Sequence, residues 1–368
     1  MKPKEQKVDF LLFLIVSALI LIGGVMVYSS SSAIADGNDK FSGHAFFLKR
    51  QLVWLIVAYV AMFLAARVNL DNVRWMIAPA LFATFALLLL VFFMPKVRET
   101  HRWISLGPIA LQPSEIFKYV VIVYLAHSLS QKGRNLDDVR RYLWPYGPIL
   151  GVGAILIVLE PDLGTALVMG GSVLVMLYLA GARLKHLAIA VAGSAATVSI
   201  LVFVLGYKRA RIDTYLASLS DPLQASHQVR QSILSLANGG VTGAGLGNGI
   251  FKQFFLPEPH TDFIFASIGE ELGLIGLSAT LLLLFGLIWR GLKIARRQTD
   301  RFHFLLATGL TMCLAVNMVI NVAVVLGLIP TTGVTLPFLS YGGSSLAVSA
   351  AAVGVLLNLS RRRERYAV

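Results

Sequence analysis

Residues 256–273 read Leu256-Pro-Glu-Pro-His-Thr-Asp-Phe-Ile-Phe-Ala-Ser-Ile-Gly-Glu-Glu-Leu-Gly273 and take the chain from a polar stretch into an apolar run that continues to Trp289. Runs of about 18 or more apolar residues recur on both sides of it, and such a run is long enough to cross a bilayer as a helix. The mean hydropathy is +0.74 and only 14% of the residues are charged. These values exclude an ordinary soluble domain, and the sequence predicts an all-α polytopic membrane protein.

Ten transmembrane helices are predicted along the chain. They cover residues 10–28, 46–66, 75–94, 113–130, 142–159, 163–180, 186–206, 263–289, 302–328 and 341–359. Most of the loops between them are short, which predicts a single domain over residues 1–368. The exception is a large, mostly polar loop over residues 207–262, between helices seven and eight. A connection of this length is either functional or disordered, and its content favours function.

The Lys and Arg residues indicate which side of the membrane holds the termini. Ten spans place both termini on one side, and the side whose short loops are richer in Lys and Arg is cytoplasmic. The deciding clusters are Lys132, Arg134, Arg140 and Arg141; Arg290, Lys293, Arg296, Arg297 and Arg301; and Arg361-Arg362-Arg363. We therefore expect cytoplasmic termini, an extracytoplasmic 207–262 loop and a multi-pass protein of the cytoplasmic membrane. The net charge of +13 is then mostly a topology signal, and no nucleic-acid binding is expected.

Five ionisable residues crowd the entrance to the eighth predicted span. They are Glu258, His260, Asp262, Glu270 and Glu271. Ionisable side chains at a membrane boundary are costly and call for a functional reason. Asp262 precedes the apolar run at the outer boundary, where a carboxylate can accept a proton from a hydroxyl nucleophile or hold a divalent cation against phosphates. The alternative is a plain helix N-cap, a position that favours Asp.

Glu270 and Glu271 follow Asp262 by eight and nine residues, which is about 12–13 Å along a helix. This separation is too large for a paired-carboxylate mechanism. We expect a structural role, in which they pair with Lys118 or with another buried cation in the bundle.

A second set of charges surrounds the fourth predicted span. Glu115 and Lys118 are three residues apart and share a helix face. An ion pair inside a membrane span indicates either function or a contact that only holds helices together, and both readings stay open. Arg102 lies in the basic outer loop 95–112, where it is a candidate to contact a diphosphate, with plain headgroup contact as the alternative.

Three further motifs lie on the predicted outer side. The glycine-rich run 238–249 lacks the residues of a nucleotide-binding loop, so no nucleotide cofactor is expected and close backbone packing or a hinge is favoured. The preceding piece 228–236 is amphipathic and predicts an interfacial helix. The turn 160–165 contains Asp162, which we interpret as a helix cap. In 336–345 the glycines favour helix packing, while Ser340 is a candidate to line a polar cavity.

Taken in order, six motifs resemble the SEDS family of FtsW, RodA and SpoVE, polytopic proteins of cell-wall synthesis. They are Arg102-Trp-Ile-Ser-Leu-Gly107, Gln112-Pro-Ser-Glu115 with Lys118, Pro161-Asp-Leu-Gly-Thr165, Pro257-Glu-Pro-His-Thr-Asp-Phe-Ile-Phe265, Gly269-Glu-Glu-Leu-Gly273 and Pro337-Phe-Leu-Ser-Tyr-Gly-Gly-Ser-Ser345. Within the family the chain is most similar to the FtsW branch, through Val25-Met-Val-Tyr-Ser-Ser30, Gly243-Ala-Gly-Leu-Gly-Asn248 and Glu258-Pro259.

The resemblance implies a peptidoglycan glycosyltransferase that polymerises lipid II at the outer face of the cytoplasmic membrane, for septal wall synthesis in cell division. It implies that Asp262 is the essential carboxylate, either as a base or as part of a site for Mg²⁺ or Mn²⁺. The residues expected to contact substrate are Arg102, Glu115, Lys118, His260, Thr261 and Ser340. The expected partners are a class B penicillin-binding protein, which supplies transpeptidation, and other divisome proteins.

Three alternative functions remain open at this point. A lipid II flippase is also a polytopic bundle with buried charges, although a carboxylate on the outer face favours the enzyme. An elongation polymerase of the RodA type is the second alternative. The third is a non-catalytic scaffold that recruits division partners.

Overall fold

The computed structural model describes residues 7–36, 46–96, 100–106, 109–131, 139–252 and 255–361. Within these residues the chain forms twelve α-helices and one pair of short strands. The helices are α1 (Phe10–Asp36), α2 (Phe46–Ala65), α3 (Leu70–Leu90), α4 (Pro113–Ser130), α5 (Val139–Leu159), α6 (Leu163–Leu179), α7 (Leu184–Ser199), α8 (Arg209–Ser220), α9 (His227–Gly239), α10 (Ile264–Ala295), α11 (Arg301–Val325) and α12 (Gly343–Arg361). Short 3-10 turns cover Val91–Phe93 and Pro222–Gln224, and a π-helical turn covers Ile200–Val204.

Seven of these helices are long and apolar enough to cross a membrane, as judged from the described residues. They are α1, α2, α3, α7 with its π-helical turn, α10, α11 and α12. Two more predicted spans appear as shorter apolar segments, Tyr146–Leu159 and Leu163–Leu179. The remaining one, α4, carries Glu115 and Lys118. The protein is therefore a multi-pass membrane protein, while the total of ten spans stays a prediction. Among the predicted topology signals, Lys132, Arg134, Arg362 and Arg363 lie outside the described residues.

Helix α11 lies at the centre of the bundle, because it packs against α4, α6, α9, α10 and α12. Helix α12 packs along α2, and small residues permit the close approach. A Cβ at Gly354 would overlap the backbone oxygen of Met62, and one at Gly343 would overlap the ring of Trp54. Helix α7 has no buried residue and makes few contacts with the rest of the bundle.

The loop before α4 contains the two strands, β1 (Ile104–Leu106) and β2 (Ile109–Leu111), which pair antiparallel with Ile104 opposite Leu111. The all-α prediction missed this hairpin. Each strand has only three residues, which is too short for an alternating pattern to stand out.

The large loop between α7 and α10 contains two helices, α8 and α9. Helix α9 confirms the helix predicted from the amphipathic piece 228–236. It packs on α10 and α11. The hydroxyl of Ser232 donates to the carbonyl of Val325 at 2.8 Å, and that of Ser235 donates to the carbonyl of Ala266 at 3.3 Å. The loop is thus attached to the bundle through buried hydrogen bonds.

Helix α10 is interrupted at Gly273, whose backbone adopts φ +64° and ψ −165°. The glycine-rich run fills the interruption. The amides of Leu274 and Ile275 donate to carbonyls of residues 240 and 241 at 2.9 and 3.2 Å, and the amides of residues 244 and 245 donate to the carbonyls of Glu270 and Glu271 at 2.9 and 3.0 Å. A Cβ at Gly273 would overlap the amide nitrogen of residue 243. The predicted close backbone packing of the glycine-rich run is confirmed.

Candidate active site

Asp262 lies one residue before the N-cap of α10. The N-cap is Phe263, which makes no side-chain capping bond, so the interpretation of Asp262 as a plain N-cap is wrong. The backbone carbonyl of Asp262 accepts a hydrogen bond from Nδ2 of Asn321 at 2.9 Å. The side chain is partly exposed, and a Cβ built on Gly333 would lie 3.5 Å from its Oδ2 atom. Helix α11 therefore fixes the backbone of Asp262, and Gly333 leaves room beside its carboxylate.

The segment before Asp262 is held by residues that lead into α12. The hydroxyl of Ser340 donates to the carbonyl of Thr261 at 2.7 Å and accepts from the amide of Leu336 at 2.8 Å. The amide of Tyr341 donates to the carbonyl of His260 at 2.8 Å. In this structure Ser340 positions the Asp262 segment, and its contact with substrate stays a prediction.

His260 is enclosed by aromatic side chains. It is 3% exposed, with ring centroids 5.0 Å from Phe47 and 5.6 Å from Tyr341. Its Nε2 atom lies 3.9 Å from Oε2 of Glu258, and the hydroxyl of Thr261 donates to the same carboxylate oxygen at 3.2 Å. This burial favours a role for His260 in shaping the loop, while Thr261 is partly exposed next to Asp262.

A second group of polar residues surrounds the turn between α5 and α6. Nε of Arg102 donates to the carbonyl of Glu160 at 2.8 Å, and its guanidinium also donates to the carbonyl of Pro161. The ammonium of Lys208, which directly precedes α8, donates to the carbonyl of Pro161 as well. Arg211 from α8 donates to the carbonyl of Thr331 at 3.0 Å. Three cations thus meet at one end of the bundle.

Asp162 is the N-cap of α6, as the sequence predicted. Its carboxylate accepts from the amide of Thr165 at 3.2 Å, from the hydroxyl of Thr165 at 2.9 Å and from Nε2 of Gln112 at 2.9 Å. Because its oxygens are engaged by these donors, Asp162 is bound into the protein framework and is not offered to a ligand.

Two ionisable groups in this cluster have displaced pKa values. Burial raises the pKa of Glu160 to about 9, with a further contribution from Asp162 that Arg102 opposes, so the fully buried carboxyl is neutral near pH 7. Burial and the neighbouring charges of Arg102 and Arg211 lower the pKa of Lys208 to about 8, against the opposing charge of Asp162.

The segment 331–334 lies between the cluster of Arg102, Lys208 and Arg211 and the residue Asp262. A Cβ at Gly164 would lie 3.0 Å from the carbonyl oxygen of Thr332, which places the α5–α6 turn against one part of it. Arg211 binds the carbonyl of Thr331, and Gly333 lies against the carboxylate of Asp262. The structure therefore brings Arg102 and Asp262, both predicted from sequence, to the same region, through residues that the prediction did not include.

Glu115 and Lys118 form an ion pair within α4, with Nζ 2.9 Å from Oε1, and Lys118 is 1% exposed. Tyr119 follows Lys118 and shares a hydrogen bond with Ser349 of α12 at 3.2 Å. The pairing of Glu115 with Lys118 is confirmed, and its contact with substrate stays a prediction.

Glu270 and Glu271 tie the glycine-rich run to the bundle. Glu271 pairs with Lys252 at 2.6 Å and accepts from the hydroxyl of Ser29 at 2.7 Å. Glu270 accepts from the amides of Ile250 and Phe251 at 2.6 and 3.0 Å. The predicted structural role is confirmed, and Glu271 does pair with a buried cation. The suggestion of Lys118 was wrong, because Lys118 is already neutralised within its own helix.

The expectation of a divalent cation at Asp262 can be compared with the available ligands. Among the described residues, no group of three or more His, Cys, Asp or Glu side chains is arranged to hold a metal. Mg²⁺ is often bound through one or two carboxylates together with substrate phosphates and water. Asp262 fits such a site only in combination with a phosphate-bearing substrate.

The model of the cell cycle protein family of FtsW, RodA and SpoVE matches residues 9–365. The chain belongs to this family, the SEDS proteins. It is 42% identical over 367 residues to stage V sporulation protein E of Bacillus subtilis (strain 168), covering 98% of this chain and 99% of the relative. It is 40% identical over 361 residues to the probable peptidoglycan glycosyltransferase FtsW of Geobacter metallireducens, covering 97% of this chain and 96% of the relative.

Solved structures of similar proteins have the same fold. One such chain comes from a structure that describes the structural coordination of polymerization and crosslinking by a peptidoglycan synthase complex. This SEDS protein matches that chain with a TM-score of 0.79 and 28% identity, over 96% of its own length and 98% of that chain. It also resembles the rod shape determining protein RodA of Thermus thermophilus, with a TM-score of 0.70, 26% identity and coverage of 99% and 100%.

Sequence reasoning missed Lys208, Arg211 and Asn321 of this SEDS protein. A signal for the first two was present, because they lie at the start of the predicted outer loop, where the positive-inside rule disfavours clustered basic residues. No such signal exists for Asn321, since an Asn in an apolar helix does not identify the carbonyl that it binds.

Proposed function

We propose that this SEDS protein is a peptidoglycan glycosyltransferase that polymerises lipid II into glycan strands at the outer face of the cytoplasmic membrane. The observation that carries the proposal is the partly exposed Asp262, whose backbone is fixed by Asn321 and whose carboxylate lies beside Gly333. The relatives named as peptidoglycan glycosyltransferases at about 40% identity support the same activity.

In the proposed reaction a sugar hydroxyl of the acceptor attacks the anomeric carbon of the donor. Asp262 accepts the hydroxyl proton as the new glycosidic bond forms. The bond between the anomeric carbon and the diphosphate oxygen breaks, and the electron pair leaves with undecaprenyl diphosphate. Arg102 contacts the diphosphate, where its cation offsets the charge that develops on the leaving oxygen.

A divalent cation, either Mg²⁺ or Mn²⁺, is the alternative use of Asp262. Asp262 would hold this ion together with substrate phosphates, and the ion would supply positive charge to the leaving diphosphate. Both uses place Asp262 in contact with the reacting groups. Thr261, His260 and Ser340 then determine where the carboxylate lies, and the Lys118–Glu115 pair provides polar surface within the bundle.

The proposal is tested with purified protein, its cognate class B penicillin-binding protein and labelled lipid II. We expect Asp262→Ala to lower the rate of glycan polymerisation by at least about 100-fold, the usual lower range for loss of a general base. The matched control is Asp213→Ala, which removes an exposed acid of α8 and should leave the rate unchanged. Polymerisation at the normal rate by Asp262→Ala would remove the catalytic assignment.

We place the termini in the cytoplasm, with ten spans, because the basic residues concentrate on that side. Labelling of single cysteines introduced at Arg296 and at Arg209, after replacement of Cys313, tests this orientation in intact cells. A reagent that cannot cross the membrane should modify position 209 and not position 296. The opposite result contradicts the orientation.

We favour division over elongation as the cellular process. The support is the identity of about 40% to several relatives named FtsW, compared with 26% to the solved RodA. Proposed partners are a class B penicillin-binding protein, as the similar peptidoglycan synthase complex suggests, and other divisome proteins at the septum. Depletion should produce long cells without septa, whereas round cells would favour the elongation polymerase.

The lipid II flippase is the second candidate, and the buried Lys118–Glu115 pair is the observation that favours it. In proteoliposomes loaded with lipid II on the inner leaflet, a flippase exposes the lipid to an external probe without polymer formation. Polymer formation that depends on Asp262, with no such exposure, supports the enzyme. Exposure that depends on Lys118 and not on Asp262 supports transport.

A further inference from the structure

Among the residues that the structure describes, three cations near the candidate active site donate to neutral acceptors. Arg102 and Lys208 bind carbonyl oxygens of residues 160 and 161, and Arg211 binds the carbonyl of Thr331. Within the described part of the chain, none of the three forms a salt bridge with a carboxylate. Cations that lie close together without acidic partners create a positive potential that favours an anionic ligand.

The two acids beside these cations do not neutralise them. Glu160 is uncharged near pH 7, because burial raises its pKa to about 9. The carboxylate oxygens of Asp162 accept from the Thr165 and Gln112 side chains and from the amide of Thr165. The cluster therefore retains a net positive charge of about two in the absence of a ligand.

The cations are accessible and lie near the reaction site. Arg211 is exposed, and Arg102 and Lys208 are partly exposed. The carbonyl that Arg211 binds belongs to Thr331, two residues before Gly333, and two extended residues span at most about 7 Å. Because Gly333 lies against the carboxylate of Asp262, one extended ligand can reach both Asp262 and the cations.

We propose that Lys208 and Arg211 act with Arg102 as the binding site for the diphosphate of a polyprenyl-linked glycan donor. This inference rests on the proposed function and adds two residues of the large loop to it. Three cations suit a diphosphate, which carries two negative charges in the donor and gains another as the glycosidic oxygen leaves. A phospholipid headgroup shares the phosphate chemistry but carries one negative charge, so it matches the cluster less well.

Binding is measured with the full-length protein in nanodiscs, with undecaprenyl diphosphate as the probe. We expect Lys208→Met and Arg211→Met each to weaken binding about tenfold, and the double variant about 100-fold, as for loss of charge-assisted hydrogen bonds. The matched control is Arg209→Met, which removes an exposed cation of α8 that pairs with Asp213 and should not change the affinity. Equal losses in all three single variants, or no loss, overturn the proposal.

Further probes distinguish the sources of phosphate. Undecaprenyl diphosphate should displace a fluorescent analogue at lower concentrations than undecaprenyl phosphate, and phosphatidylglycerol should not displace it. Inorganic pyrophosphate should compete more weakly than the lipid, since it lacks the chain. Equal displacement by phosphatidylglycerol assigns the cluster to headgroup contact and contradicts the proposal.

The ionisation of Lys208 makes the affinity for the diphosphate depend on pH, and a purely structural role of Lys208 would not produce this dependence. The charged groups that face Lys208 are Arg102, Arg211 and Asp162, with Glu160 and Tyr207 beside them. Since the pKa of Lys208 is about 8, affinity for undecaprenyl diphosphate should fall as the pH rises from 7 to 8.5. Lys208→Arg keeps the charge over this range, so it should retain the affinity at pH 7 and lose the pH dependence.

Asp262→Asn separates this inference from the proposed function. It should lower polymerisation at least about 100-fold and leave undecaprenyl diphosphate binding within twofold of the unmodified protein. If the unmodified protein binds the probe through Lys208 and Arg211 but makes no polymer from lipid II, the proposed function fails and the site stands. If it makes polymer and the double variant polymerises with an unchanged KM, the site fails and the function stands.

Discussion

Asp262 and the pair Glu270–Glu271 are acids of one segment, and their surroundings differ. Asp262 is partly exposed, and the structure holds it through its backbone carbonyl. Glu270 and Glu271 are each 1% exposed, and donors from the large loop engage their carboxylates. Acids that look alike in the sequence therefore differ in access, and the accessible Asp262 is the one that a substrate can reach.

The largest expected effect is on activity at Asp262. Asp262→Asn removes the charge with almost no change of shape, so polymerisation should fall at least about 100-fold while the protein remains folded. Polymerisation of labelled lipid II and thermal unfolding in detergent are measured on the same preparation. Glu271→Gln is the comparison, and an equal fall in melting temperature for Asp262→Asn and Glu271→Gln would contradict the difference between the two acid sites.

The next effect is on stability at Lys252. Lys252→Met leaves the buried Glu271 carboxylate without its cation, and removal of one partner of a buried pair costs about 3–5 kcal/mol. We expect a clear fall in the thermal unfolding temperature, with activity falling only as the folded fraction falls. The control is Lys185→Met, which removes an exposed cation of α7. An unchanged unfolding temperature would mean that the ion pair contributes little to the attachment of the loop.

Gly273→Ala tests the interruption of α10 itself. An added Cβ would overlap the backbone of residue 243 and would occupy a conformation that L residues rarely adopt, at a cost of about 1–3 kcal/mol. Gly193→Ala is the control, because no atom lies within 4 Å of a Cβ there, in a helix that alanine favours. Thermal unfolding should therefore shift in opposite directions, and equal shifts would contradict the close packing at Gly273.

The smallest effect is expected at Glu160. Its pKa is raised from the ordinary value of 4.5 to about 9, so the stability that the protonated form provides is fully present below about pH 4.5 and is lost progressively as the pH rises to about 9. Glu160→Gln resembles the protonated acid, so its unfolding temperature should match that of the unmodified protein near pH 4.5 and exceed it at pH 8. It should reduce the loss of stability that the unmodified protein shows between pH 5 and pH 9. Identical pH profiles for the two proteins would contradict the raised pKa.

Much of the architecture follows from local sequence patterns. Seven of the predicted spans are confirmed, and they could be predicted because length and apolarity are local properties of the sequence. Helix α9 was predicted from the amphipathic spacing of residues 228–236. The cap at Asp162 was predictable for the same reason. Asp262 was singled out because an acid at the entrance to an apolar helix is unusual.

The features that escaped prediction depend on partners distant in sequence. The ion pair of Glu271 joins α10 to Lys252, and the choice of this lysine over Lys118 depends on packing that no local pattern records. The contact between Asn321 and the carbonyl of Asp262 spans 59 residues of sequence. The break at Gly273 is equally non-local, because the loop amides and carbonyls that make it tolerable come from residues 240–245.

The break in α10 constrains how the protein is made. A gap in a membrane helix leaves polar backbone groups that hydrocarbon cannot satisfy, so this segment gains a complete set of hydrogen bonds only when the loop lies against it. Residues 240–252 precede α10 in the chain and leave the ribosome first. In the proposed topology, in which the large loop is extracytoplasmic, translocation of this loop is therefore a step in completing α10. A loop delayed in the cytoplasm would leave α10 without its hydrogen-bond partners.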